Sequence, residues 1–150
     1  MRLRDCVDES VVKIGLESVD KDECFEEMIE VLARAGRITD RAEALRAIRE
    51  RESQGSTGIG RQFAVPHGKT SAVSSLTVVI GTSADGIEFD SEDGKPVRLV
   101  CLILASSSEP GRHLQALAEV MRLVRLPGFL EKLADAKSAK ALLDILDAEE

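Results

Sequence analysis

The stretch "VRLVCLILA", residues 97–105, is apolar at every position except Arg98. A strand with one wet face alternates in polarity, whereas a strand covered on both faces reads as a continuous apolar run. This stretch therefore predicts a central strand with helices packed on either side. "LTVVIGT" (76–82) is a second short apolar run, and "VVKIGL" (11–16) reads as a β-branched first strand. Between the two apolar runs, "GIEF" (86–89) and the turn "SEDGKP" (91–96) predict a hairpin with an additional short strand.

Helical periodicity flanks the strands on both sides. Asp20 precedes Glu23 by three residues, a capping-box start. Phe25, Met28, Ile29 and Leu32 follow at helical spacing, and Gly36 suits the position just past a helix end. "ITD" opens a second helix with Thr39 or Asp40 as cap, Ala44, Leu45 and Ile48 as its apolar face, and an end near Arg51–Ser53. After "SSSEPG", the segment "RHLQALAEVMRLVR" places Leu114, Leu117, Ala118, Met121 and either Val124 or Arg125 at helical intervals before Pro127–Gly128 break it. "FLEKLADA" and "AKALLDILDAEE" predict two short closing helices, the second capped by Ser138. The whole predicts a single three-layer α/β/α domain over residues 1–150, a mixed β-sheet with helices on both faces.

Composition narrows the function. A 150-residue chain fits one domain that buries about 68–70% of its unfolded surface. With 43% hydrophobic residues, four Phe and neither Trp nor Tyr, the core is aliphatic, and stacking platforms for single-stranded nucleic acid are missing. Twenty basic against 27 acidic residues give a formal charge of -7, which repels nucleic acid and anionic membrane. No apolar run is long enough to span a membrane, and the N-terminus lacks the pattern of an export signal. Cys6, Cys24 and Cys101 are odd in number and without CxxC spacing, so they read as unpaired thiols in a reducing, cytosolic setting.

The chemistry concentrates in "RESQGSTGIGRQFAVPHGKT" (51–70). Its "GKT" ending imitates a nucleotide-binding P-loop, but Phe63 stands where that motif needs its first glycine, and Pro66 removes a backbone donor. Only two histidines exist, His67 and His113, and each lies where an element begins or ends. Pro66 stiffens the chain before His67, while Gly68 removes bulk after it. His113 falls in the first turn of its helix, where the dipole favours an anion. A neutral imidazole is nucleophilic and releases what it accepts, so a phosphoryl group shared between the two rings suits this pair. Arg51, Thr57 and Lys69 are the candidate stabilisers of such a group. Each also has a plain alternative: a solvated helix cation, a turn hydroxyl, a solvated loop cation. The hydroxyls of Ser106, Ser107 and Ser108 are either a rim to the same pocket or ordinary loop chemistry. No residue spacing implies a metal or an organic cofactor.

The same segment resembles the signature of the type-2 EIIA domains of the bacterial phosphoenolpyruvate:sugar phosphotransferase system, the fructose/mannitol class. The resemblance rests on the Arg51–Glu52 pair, "STGIG" and "AVPH", continues through "GIEFDSEDGKPVRLVCLILAS", and ends on "HLQALAEV". It implies that His67 is phosphorylated by the phosphocarrier HPr or a paralogue, that Arg51 steadies the phosphohistidine, that His113 assists, and that Thr57 bonds the phosphate. It further implies onward transfer to a cysteine of a IIB domain, or retention of the group as a regulatory mark. A nitrogen-regulatory branch is the closer likeness, and a non-catalytic module that docks on a transporter or kinase is the alternative. Arg61–Gln62 depart from the Gly or Asn-Gly common after "TGIG" and add a cation near the expected site.

Overall fold

The computed structural model covers residues 1–150. Two 3₁₀ turns, Leu3–Cys6 and Glu9–Val11, lead into β1 (Val12–Ile14), α1 (Lys21–Arg34) and α2 (Arg41–Glu52). Then come β2 (Gly58–Gly60), β3 (Phe63–Ala64), β4 (His67–Lys69), β5 (Thr77–Ile87) and β6 (Val97–Ala105). The helices α3 (Pro110–Val124), α4 (Phe129–Ala134) and α5 (Ala139–Glu149) complete the chain.

Capping chemistry sets the helix boundaries. Asp20 accepts the Glu23 amide at 2.9 Å, Asp40 accepts that of Glu43 at 3.1 Å, and the Ser138 hydroxyl accepts that of Ala141 at 3.0 Å. Glu23 reaches back to the Val19 amide, one residue earlier than a capping box requires. Gly36, at φ +71°, closes α1, with Arg37 N–H donating to Leu32 C=O and Gly36 N–H to Ala33 C=O.

The sheet order is β1-β5-β6-β3-β2, with β4 also on β6, so the long apolar run is the central strand. β5 and β6 are antiparallel, whereas β1 is parallel to β5, and both β3 and β4 are parallel to β6. Alternate residues reach different helix layers. Ile80, Leu99 and Cys101 join α3, α4 and α5 residues around a small apolar void, while Gly81 backs onto Leu16 and Met28 of the α1 side.

Two expectations are corrected and a third is extended. "GIEF" adds no separate strand: Gly86–Ile87 extend β5 past a register shift, and Glu88 makes only an isolated bridge with Asp20. On α2 the expected face of Ala44, Leu45 and Ile48 packs on the core, with Leu45 half-buried, and Ala47 is buried as well. On α3 the buried stripe is Ala116, Glu119, Val120, Leu123 and Val124, while Leu114 is 72% exposed and Met121 lies outward too. Two adjacent stripes of this helix both satisfy i, i+3, i+4 spacing, and Glu119 disguises the true one. Glu119 is tolerated there because Arg122 binds both its oxygens, at 2.7 and 2.9 Å.

The signature segment itself forms strands. β3 and β4 run along the same edge of β6 in one register, Phe63 opposite Leu99 and His67 opposite Ile103. The ladder breaks between them at Val65 and Pro66. Proline has no N–H to give, and Val65 N–H turns the other way, to Thr57 C=O at 3.0 Å.

Candidate functional site

His67 thus opens β4 at the carboxyl end of the central strand, and α3 begins just after β6 leaves the sheet. Ligands of open α/β sheets bind outside the carboxyl ends of strands, and here both histidines stand in that place. They line a cleft of about 430 Å³ together with Arg46, Ala47, Glu50, Arg51, Gln54, Gly68 and Lys69. Of the cleft's charged groups, three are cationic and only Glu50 is acidic, in a chain whose formal charge is -7. Arg46 is paired with Glu43 and Glu50, so Arg51 and Lys69 are the cations left to meet an anion in the cleft.

The two rings meet edge to face, with centroids 5.4 Å apart. His67 Nδ1 lies 2.8 Å from the Val65 carbonyl oxygen. A carbonyl only accepts, so Nδ1 carries the proton and Nε2 keeps its lone pair. Burial depresses the His67 pKa below 6.5, the Arg51 guanidinium pushes the same way, and the Val65 bond and the Glu52 carboxylate oppose them. His113 is depressed as well, by burial first and then by His67 and Lys69. Both rings are neutral at pH 7. His113 Nε2 is out of solvent and has no hydrogen-bond partner within the protein, a cost that a polar group between the rings would remove.

Arg51 lines the cleft, and one end of its guanidinium donates to Gly55 C=O at 2.9 Å, which tethers it to the loop after α2. Lys69 is exposed at the rim. Thr57 is corrected. It is 3% exposed and does not line the cleft; its hydroxyl and amide both bind Glu52, at 2.7 and 2.9 Å. The Ser106 and Ser108 hydroxyls bond each other at 2.8 Å and likewise lie outside the cleft lining. Arg61 is not a cleft residue either. Its guanidinium donates to Val124 C=O at 2.5 Å, at the far end of α3 from His113, roughly 16 Å along the helix axis at 1.5 Å per residue. Sequence reasoning missed Arg46 and Glu50, four residues apart on one face of α2, and Gln54 in the turn just after it; the α2 spacing was available as a signal.

The fold is thus an open α/β sheet that presents two adjacent histidines at a cleft lined by Arg46, Arg51 and Lys69. The profile described as "Phosphoenolpyruvate-dependent sugar phosphotransferase system, EIIA 2" matches residues 5–149, and the chain belongs to this family. It is 36% identical over 147 residues to the fructose-specific EIIABC component of Bacillus subtilis, which covers 98% of this chain but only 23% of that longer protein. It is 39% identical to the fructose-specific EIIA component of Haloferax volcanii, over 84% of this chain and 82% of that one. A nitrogen regulatory protein of Bradyrhizobium diazoefficiens is 34% identical over 78% of each. Among solved structures, nitrogen regulatory protein IIA-Ntr from Neisseria meningitidis superposes with a TM-score of 0.87 at 28% identity, covering 96% of this chain and 98% of that one. The enzyme IIA of Escherichia coli that was solved in complex with phosphorylated enzyme IIB, both of the mannitol system, gives 0.79 at 26% identity, covering 95% and 97%. No helix is long and apolar enough to cross a membrane.

Proposed function

We propose that this chain is a cytosolic phosphocarrier, a single EIIA domain that takes a phosphoryl group onto Nε2 of His67 from an HPr-type phosphohistidine. It then passes the group to a cysteine of a IIB domain or keeps it as a regulatory mark. The observation that carries this reading is the Nδ1–H bond to Val65, which leaves the Nε2 lone pair free beside His113 and the cleft cations.

The lone pair attacks phosphorus, a new N–P bond forms, and the donor's P–N bond breaks with its electron pair returning to the donor ring. His67 keeps its Nδ1 proton throughout, so the phosphorylated ring carries positive charge that the Val65 carbonyl and the Glu52 carboxylate favour. On transfer to a thiolate, the N–P electrons return to Nε2 and a neutral imidazole leaves, with no proton required. Arg51 and Lys69 offset charge on the phosphoryl oxygens, each charge-assisted hydrogen bond contributing about 1.5–3 kcal/mol. His113 offers its ring to the same group. Likeness to nitrogen regulatory proteins favours a regulatory output as the second reading, since phosphorylation adds about −1.5 to −2 charges to a face that any target would meet.

The test is incubation with phosphoenolpyruvate, Enzyme I and HPr, followed by mapping of an acid-labile, base-stable adduct. Label on His67 and none on His67→Ala is the expected result. No adduct on wild type, or undiminished label on His67→Ala, refutes the assignment.

A further inference from the structure

Glu52 closes α2 next to Arg51, yet it turns away from the cleft and into the protein, its side chain 5% exposed. A buried carboxylate is costly unless it is paired or well hydrogen-bonded. Here one oxygen accepts the Thr57 hydroxyl at 2.7 Å, and the other accepts the Thr57 amide at 2.9 Å. Lys21 Nζ stands 3.6 Å from the second oxygen. Both donors of a single residue are thus fixed by the two oxygens of a single carboxylate.

Thr57 in turn holds the histidine's anchor. Its carbonyl accepts Val65 N–H at 3.0 Å, and Val65 C=O accepts His67 Nδ1–H at 2.8 Å. Pro66 follows and restricts the Val65 backbone to extended conformations. The Val65 carbonyl is therefore aimed from one side by proline and from the other by Thr57.

We propose that Glu52 is a positioning residue that acts through Thr57 and Val65 to hold the His67 ring in the tautomer whose Nε2 is free. The proposal deepens the phosphocarrier reading and rests on it for its functional consequence. Without the carboxylate, the amide and hydroxyl of Thr57 lose their acceptors, the Thr57 carbonyl that takes the Val65 amide is no longer fixed, and the carbonyl that selects Nδ1–H is no longer aimed. Glutamine keeps an oxygen for the Thr57 amide and an NH₂ that the rotated hydroxyl oxygen accepts. Aspartate is one methylene short of both donors.

The experiment is ¹⁵N spectroscopy of the His67 ring in the unphosphorylated protein above its pKa, beside the initial rate of phosphorylation by phospho-HPr, for wild type, Glu52→Gln, Glu52→Ala and Thr57→Val. Wild type and Glu52→Gln are expected to show protonated Nδ1 and free Nε2. Glu52→Ala is expected to show a mixture of tautomers, with a rate lower by about 10–100-fold, by analogy with the loss of an outer partner that orients a metal-ligating histidine. Thr57→Val is expected to move the same way by less. Folded Glu52→Ala and Thr57→Val with wild-type ring spectra and rates overturn the proposal. Should Glu52→Ala not fold, Thr57→Val decides it. A wild type that shows the Nδ1–H ring but accepts no phosphoryl group overturns the phosphocarrier reading, while the ring spectra still decide the role of Glu52.

Discussion

The His67 and His113 rings approach edge to face, their planes inclined at 67° and their centroids 5.4 Å apart. Two imidazoles this close resist becoming cations together, and burial depresses both pKa values further. Arg51 adds to the depression at His67 and Lys69 to that at His113, while the Val65 hydrogen bond and Glu52 oppose it at His67. Since only the neutral ring is a nucleophile, the rate of His67 phosphorylation should fall toward acid pH with a midpoint below 6.5. An initial-rate profile from pH 5 to 8 with phospho-HPr checks this. A midpoint above 6.5 contradicts it. The same depression makes stability pH-dependent. Between the folded pKa and 6.5 the unfolded chain binds more protons, so stability climbs with pH through that window and levels off above it.

His113 contributes a ring whose Nε2 has no partner in the protein. If its part is to bond the phosphoryl group in flight, His113→Ala should still be labelled on His67 but pass the group on more slowly. The loss of one charge-assisted hydrogen bond of about 1.5–3 kcal/mol corresponds to roughly 10–100-fold. Single-turnover transfer from the phosphorylated variant to a IIB domain measures it. Unchanged onward transfer removes His113 from the mechanism.

Gly68 is required for proximity rather than for its torsion angle. A Cβ there would lie 3.0 Å from the carbonyl carbon and oxygen of Ala47 and 3.2 Å from its Cβ, where α2 crosses β4. Gly68→Ala must therefore push α2 outward, and Arg51 moves with it. Overpacking of this kind costs about 1–3 kcal/mol. Urea denaturation should show that loss, and phosphorylation should slow more than the stability change alone explains. A fully stable Gly68→Ala with wild-type rates would show that the helix yields freely.

Glu27 tests the other end of the sheet. Burial works against its charge, but Lys13 at 2.6 Å, the Ser18 hydroxyl and the amides of Glu17 and Ser18 outweigh it and bring its pKa to about 2. The stabilisation is complete above pH 4.5 and is lost as pH falls toward 2. Glu27→Gln should accordingly lower stability at pH 7 and flatten its decline between pH 4.5 and 2, as followed by chemical denaturation across that range.

What the sequence disclosed depended on the length of each signal. Val97–Ala105 is long enough to declare a central strand, and Asp20, Asp40 and Ser138 act locally, so both are readable from adjacent residues. β2, β3 and β4 have two or three residues each, with Gly in β2 and β4 and Pro66 between β3 and β4, too short for any period to show. The residues His67, His113, Arg51 and Lys69 meet at one cleft because the fold joins distant segments, while the Thr57 hydroxyl, equally plausible in the motif, is taken by a carboxylate five residues earlier. The α3 face was undecidable by spacing, and substitution separates the two stripes. Leu123→Ala should cost about 2–5 kcal/mol as a buried truncation, whereas Leu114→Ala, 72% exposed, should stay within about 0.5 kcal/mol.

The turn between β2 and β3 carries strain that a single change should relieve. Arg61 and Gln62 hold consecutive φ values of +57° and +61°, left-handed geometry that a two-residue hairpin turn imposes and that side-chain-bearing residues resist. The two positions are not equivalent. Arg61 is repaid by its side chain, since its guanidinium caps the carboxyl end of α3 through Val124 C=O, whereas its amide bond to Asp93 would survive a glycine. The Gln62 side chain makes no hydrogen bond in the protein; only its carbonyl is used, by the Arg98 and Leu99 amides, and a glycine would keep that. Gln62→Gly should therefore raise stability by about 0.5–1 kcal/mol after the added flexibility of the unfolded chain is counted. Arg61→Gly should give no gain or a loss, because the relief of strain is offset by the missing cap. Urea midpoints at constant m-value separate the two, and a destabilised Gln62→Gly would mean that the left-handed pair is not strained.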